Sequence, residues 1–256
     1  MTPEENRASV ERFAKFDDRD AALVRWRFGR GYVAELAERR YRKMFNGGRR
    51  ILDVGCGVGE AAIWADGAEY FGIDLSPALL SRGRDLTGRF AGAAPADRFL
   101  AAADVTRLPF PDAVFDRVTC MGVLHHLPQE QIPTALAEMV RVLVAGGEIA
   151  IIEPNPWSLF QRLMAYVRPA ERGILATSPS RLRRLAEAVP GAAIERVEYD
   201  HTMFPPAHAT FLLQRWAWAT GPAVTKCLRL LHAAVVGLTP KPLRSHVFFR
   251  LRKEGR

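Results

Sequence analysis

Residues 50–60 read RILDVGCGVGE, an apolar run that ends on Asp53 and gives way at once to glycines at 55, 57 and 59. Ile51, Leu52 and Val54 suit a short buried strand, and the alternate glycines keep side chains out of the following turn three times over. A turn of this kind brings backbone N–H groups up to a ligand at the carboxyl edge of an open α/β sheet. Its spacing is not that of a dinucleotide site. Counted from Gly55 and Gly57, G-x-G-x-x-G requires a glycine at position 60, which is Glu60. An anionic pyrophosphate would also lie badly beside Asp53, whereas a ligand carrying an amine would be drawn to it.

Outward from this stretch, strand-like runs at 51–54, 70–73, 99–102, 117–120 and 148–152 alternate with helix-like segments at 60–65, 77–90 and 130–143. Such alternation predicts a parallel, doubly wound sheet. Upstream, residues 4–45 carry Leu23, Trp26, Val33, Leu36 and Met44 in a background of Arg and Glu and read as helical. Downstream come an aromatic helix at 157–167, a helix in SPSRLRRLAEAV capped by Ser178 or Ser180, a strand at 194–199, a long connection and a final strand in SHVFFRLRK. The expected fold is α/β: a Rossmann-like doubly wound sheet with a final antiparallel strand, N-terminal helices over 1–48, and a helical insertion at about 202–244 before the last strand of a domain spanning 49–256. The ligand-binding core is expected at 49–153.

Composition bounds the class. The 256 residues, 48% apolar, suffice for one sizeable core. Cys56, Cys120 and Cys227 lie far apart with no ligand spacing, which argues against a zinc site or a disulfide framework. The N-terminus is charged from its fourth residue and shows no apolar signal core, so a cytoplasmic location is expected. The net charge of +8 is uneven: 13 basic against 8 acidic side chains in 1–50, 7 against 13 in 51–150, and 16 against 7 in 151–256. Basic ends around an acidic middle fit an anionic ligand, an anionic membrane surface or nucleic acid, and equally a plainly solvated set of arginines.

Five ordered motifs then carry a resemblance. LDVGCGVG, FGIDLS, AADVTRLPFPDAVFD, FDRVTCMGVLHHLP and RVLVAGGEIAIIEPN, across roughly 49–153, resemble the class I S-adenosylmethionine-dependent methyltransferases of the small-molecule type that includes ubiquinone and menaquinone methyltransferases. The resemblance implies S-adenosylmethionine as cofactor, cradled by Gly55, Gly57 and Gly59. Asp53 would lie near its amine, Asp74 on the ribose hydroxyls with Leu75 beside it, Asp104 on the adenine amino group, and the Val105 backbone on the ring edge. Cys120, closing the fourth strand, completes the expected cofactor set. Each acid also has a local reading: Asp53 and Asp74 as caps or turn formers, Asp104 as the start of an Asx-turn. Between Asp53 and Asp74 the chain is about two residues shorter than the family norm, so the first helix or its turn is expected to be trimmed.

The chemistry implied is displacement at the sulfonium methyl, which rests on positioning. A base is needed only for a hydroxyl or an acidic carbon, and His125 and His126 are the candidates, one of them expected to pack against the sheet or cap a helix. No metal is required. The acceptor is expected to be a small molecule, with O-methylation favoured. NPWSLFQRLMAYVRP and the insertion, with Trp157, Phe204, Phe211 and Trp216 as substrate-side residues, could roof an apolar or lipid-like acceptor pocket. The same insertion also reads as a subdomain core, a dimer face or, through Arg215, Lys226 and Arg229, a peripheral membrane contact. Acceptors of RNA or protein, and a noncatalytic cofactor-binding module, are the alternatives. Nucleic acid is disfavoured because CMGV stands where an (N/D)PP(Y/F) block would be.

Overall fold

A computed structural model describes residues 32–90, 98–200 and 221–255. The strands β1 (Arg50–Val54), β2 (Glu69–Asp74), β3 (Arg98–Ala102), β4 (Phe115–Met121), β5 (Leu143–Pro154), β6 (Ala192–Asp200) and β7 (His246–Lys253) form one sheet in the order β3-β2-β1-β4-β5-β7-β6. The first five strands pair in parallel, and β7 runs antiparallel between β5 and β6. The strand order reverses beside β1, which sets the carboxyl ends of β1 and β4 at the switch point where such sheets bind ligands.

The helices are α1 (Tyr32–Phe45), α2 (Pro77–Phe90), α3 (Ile132–Val142), α4 (Leu159–Val167), α5 (Pro179–Glu187) and α6 (Pro222–Leu238). Strand periodicity divides the core into two layers. Ile51, Tyr70, Ala150, Ile152 and Phe248 point to one face, where Ala37, Tyr41, Met44 and Phe45 of α1 cover them. Leu52, Val54, Val118, Ile149 and Ile151 point to the other, against Ile132, Leu136 and Met139 of α3 and Leu182 and Ala186 of α5. Both layers are apolar because every strand between covered faces must bury its two sides.

Several local expectations are refined. The helix expected at 60–65 is a five-residue 3-10 stretch, Glu60–Trp64, entered from Gly59 in a left-handed conformation; the short interval between Asp53 and Asp74 leaves room for little more. β5 starts earlier than the sequence pattern implied, because the residues VAGG (144–147) are absorbed as an irregularity in its register with β4. Of the two serines offered as a cap for α5, Ser178 does so: its Oγ accepts from the Arg181 N–H at 3.3 Å. Helix α6 begins with Pro222 in its first turn, where a missing N–H costs nothing, and docks on α1 through Arg229 paired with Glu35 and Tyr32 bonded to His232. Phe204, Phe211 and Trp216, the first half of the insertion, and most of the expected N-terminal helical segment lie outside the described residues.

Candidate functional site: the carboxyl edge of the sheet

The turn after β1 holds Gly55, Gly57 and Gly59 at φ of 70°, 58° and 68°, all in the left-handed region. The neighbourhoods of the three differ. A Cβ on Gly55 would lie 2.2 Å from Val123 Cγ2 and one on Gly59 2.9 Å from Leu100 Cδ2, whereas one on Gly57 would point into open space. Two of the glycines therefore let the turn pack against the protein, and the middle one keeps its outer side clear. Cys56 between them is buried, its N–H bonded to Ile73 O at 2.9 Å and its thiol pushed well up by burial and the surrounding carboxylates, so it is a packing residue.

Asp74 closes β2 and reaches back to this turn. Its Oδ2 accepts from the Gly57 N–H at 2.8 Å and its Oδ1 from the Ser76 N–H at 2.9 Å. Burial raises its pKa, and those two backbone donors act against the rise. Leu75 beside it is half-buried. Asp53 lies deeper: Oδ2 accepts from Tyr70 OH at 2.5 Å and Oδ1 from Thr119 Oγ1 at 2.8 Å. Burial pushes its carboxyl up to about 6, beyond what the two hydroxyls draw back, with Glu60 and Asp74 adding to the rise. Asp104 forms the Asx-turn that was its local reading, with Oδ1 accepting from Thr106 N and Thr106 Oγ1, both at 2.8 Å. The same turn is tied to the β2 end, since Ala103 N donates to Asp74 O at 3.0 Å. The side chains of Val105 and Cys120 are buried in the core, the latter completely, so what these positions present at the edge is backbone.

The second half of the site is organised by Glu153, which sequence reasoning passed over. This fully buried carboxylate closes β5; Oε1 accepts from the N–H groups of Val123 and Leu124 at 2.9 Å, and Oε2 meets His125 Nδ1 at 2.7 Å. It holds the 3-10 turn Leu124–His126 in place after β4. His125 Nε2 meets Glu171 Oε2 at 3.2 Å, from the 3-10 stretch Pro169–Ala176. Burial alone would depress the His125 pKa, but the two carboxylates overcome it and raise the ring to about 9. His126 behaves in the opposite way: burial and the charge of His125 bring it down to about 4. The two adjacent histidines thus differ in charge near neutrality. Gly173 seats the 3-10 stretch on His125 so closely that a Cβ there would fall 1.7 Å from the His125 carbonyl oxygen. Donor atoms of His125, His126 and Glu171 lie within 4.8 Å of one another, a set that could hold a divalent ion and that linear spacing did not reveal.

On the α1 face, a cavity of about 200 Å³ opens between α1, α6 and β7, with Arg39, Arg40 and Lys43 among its lining residues together with Ile152 and Phe248. Trp157, expected on the substrate side, is exposed.

A glycine turn kept clear at Gly57 and bonded to a carboxylate at the end of the second strand leaves open space at the carboxyl edge of the sheet. Residues 52–151 match the family described as a methyltransferase domain. This chain carries a class I S-adenosylmethionine-dependent methyltransferase domain. Two named relatives of that domain are the demethylmenaquinone methyltransferase of Deinococcus radiodurans, 35% identical over 152 residues (55% of this chain, 60% of that protein), and the 27-O-demethylrifamycin SV methyltransferase of Amycolatopsis mediterranei, 35% identical over 137 residues (50% and 48%). The chain thus spans about half to 60% of the length of the relatives it matches. Phosphoethanolamine N-methyltransferase 2 of Haemonchus contortus, solved with S-adenosyl-L-methionine, superposes on this chain with a TM-score of 0.64 at 19% identity, covering 95% of this chain and 60% of that one, a likeness of fold. S-adenosylmethionine is the cofactor of the methyltransferase domain. Among its described residues no helix is long and apolar enough to cross a membrane.

Proposed function

We propose that the protein transfers the methyl group of S-adenosylmethionine to a small, apolar or lipid-like acceptor, with oxygen the favoured atom. The observation that carries this reading is the cradle at Gly57: a left-handed glycine with open space before it, its N–H on Asp74, between carboxylates suited to an amine at Asp53 and to ribose hydroxyls at Asp74. Asp104 and the Val105 backbone, one strand further on, would take the adenine. Relatives named for demethylmenaquinone and 27-O-demethylrifamycin SV methylation support a small-molecule acceptor.

For a hydroxyl acceptor, His125 is the group assigned to receive the proton, through Nε2, after the ring has first given up the Nε2 proton that it shares with Glu171 and that the two carboxylates hold on it near neutrality. Glu153 fixes the ring from the other side. His126 is too weak a base near neutrality to share that task, and its place is beside His125, with ring centroids 3.9 Å apart. The acceptor would then have to displace the Glu171 contact, which ties substrate entry to the stretch Pro169–Ala176.

Calorimetry with S-adenosylmethionine and S-adenosylhomocysteine tests the cofactor half. Asp74→Ala should weaken both by roughly ten- to a hundredfold, the worth of hydrogen bonds to a charged acceptor. Mass spectrometry of a cell extract incubated with enzyme and labelled cofactor tests the rest. A labelled small molecule supports the reading, labelled RNA or protein redirects it, and cofactor binding without any product leaves a noncatalytic module.

A further inference from the structure

Helix α4 is built inside out. The face it turns to the protein carries Gln161, 4% exposed, and Ala165, 0% exposed, whereas Leu159 (84%), Leu163 (53%), Tyr166 (68%) and Val167 (65%) face solvent. Their spacing of four, three and one places them on a single stripe of the helix, and Trp157, just before the helix, is also exposed, at 57%. A surface helix of a soluble protein places its apolar stripe inward, and a contiguous apolar patch left outside marks a contact with something else. Three exposed arginines, Arg162, Arg168 and Arg172, accompany the stripe. Residues 157–170 contain no Asp or Glu; Glu171, which follows, is turned to His125 and also feels the charge of Arg168, and none of the three arginines forms an ion pair within 4 Å among the described residues.

We propose that α4 docks the protein on an anionic lipid surface, its leucines, valine and aromatic rings in the acyl boundary and its arginines among the headgroups. An apolar face with Trp and Tyr and a basic rim is the composition of a helix lying in the interface plane. A second copy of the chain fits less well. In a twofold contact the same surface meets itself, so the arginines of one copy would face those of the other, whereas phosphate headgroups complement them. The position of the helix gives docking a use. α4 follows directly on β5, closed by Glu153, and leads into the stretch that brings Glu171 to His125. A docked α4 therefore holds the mouth of the acceptor side at the lipid boundary, where an apolar acceptor can enter without crossing water. This extends the lipid-like acceptor proposed above, but the docking itself requires no methyl transfer and is measured without it.

The experiment is flotation of the full chain with vesicles of phosphatidylcholine alone and of phosphatidylcholine mixed with phosphatidylglycerol, at low and high salt. Wild type should float with the anionic vesicles, weakly or not with the neutral ones, and less at high salt. Leu163→Gln with Tyr166→Gln should abolish flotation. Arg162→Gln with Arg172→Gln should weaken it about fivefold per arginine, the effect of a basic residue near an anionic surface. Both double variants should still bind S-adenosylhomocysteine as wild type does, which shows that they are folded and separates this test from the cofactor reading. The proposal is overturned if wild type fails to float with anionic vesicles or if the α4 variants float unchanged. Two further results sink it: loss caused instead by Leu230→Gln with Leu231→Gln on α6, or light scattering showing a wild-type dimer that the α4 apolar variant splits.

Discussion

Asp53→Asn is the perturbation whose outcome the structure predicts most directly. The Asp53 carboxyl is buried, has one hydroxyl on each oxygen and is raised from 3.8 to about 6. The folded protein therefore holds this proton more tightly than the unfolded chain does. Below about pH 3.8 the contribution to stability is fully present. It is lost as the pH climbs through about 6, and over the whole window the loss is about 3 kcal/mol, at 1.36 kcal/mol per pKa unit. Asparagine is nearly the same shape and does not titrate. Its oxygen accepts from one hydroxyl, and the hydroxyl facing its amide can rotate to accept. Urea unfolding at a series of pH values, without cofactor, gives the measurement. Between pH 5 and pH 8 wild type should lose about 1.4 kcal/mol relative to Asp53→Asn, with the difference flattening above pH 7. Parallel curves for the two proteins would refute the reasoning, because they would mean that Asp53 is solvated enough to titrate normally. S-adenosylmethionine should interact with the same equilibrium. An ammonium beside Asp53 favours its charged form, so binding near pH 6 should release a proton that calorimetry in buffers of different ionisation enthalpy detects.

The remaining tests concern the loops. Gly55→Ala should destabilise the protein more than Gly57→Ala, because its Cβ meets Val123 at 2.2 Å while both share the left-handed φ that costs about 1–2 kcal/mol, yet Gly57→Val should be the one that loses cofactor in calorimetry while remaining folded. Gly173→Ala should lower stability by at least about 1–3 kcal/mol, since its methyl group meets main chain at 1.7 Å and no side chain can yield; thermal unfolding of the variant checks this. Glu171→Gln removes a carboxylate that helps hold His125 near 9, so the ring pKa followed by NMR should fall. If His125 is the base, the rising limb of the pH–rate profile should move to lower pH with it.

Much of the geometry at the ends of β1 and β2 in this candidate site was legible in the amino-acid order. Glycines at 55, 57 and 59 behind Asp53, and a carboxylate at the end of each of the next two strands, are local patterns. They specify a turn, a strand end and a sheet edge whatever the rest of the chain does, and the alternation of strands and helices then places them at one end of a parallel sheet. Even the trimmed first helix followed from counting residues between Asp53 and Asp74 against the spacing usual in the family it resembles. The acceptor half was not legible in this way. Glu153 offered one signal, a charged residue ending the apolar run IAIIEPN, but its partner His125 is 28 positions away, and Glu171 lies 46 positions from the same ring with nothing in its surroundings to mark it. The opposite ionisation of His125 and His126 belongs to those contacts and to no property of the pair itself. Helix α4 shows the division most clearly. The sequence reads as an aromatic helix that could help roof a pocket, and it leaves open which of its residues face the protein. Which side of a helix meets the protein depends on the angle at which the chain leaves β5 and on what already fills the space beneath, and only the assembled tertiary structure sets those two things.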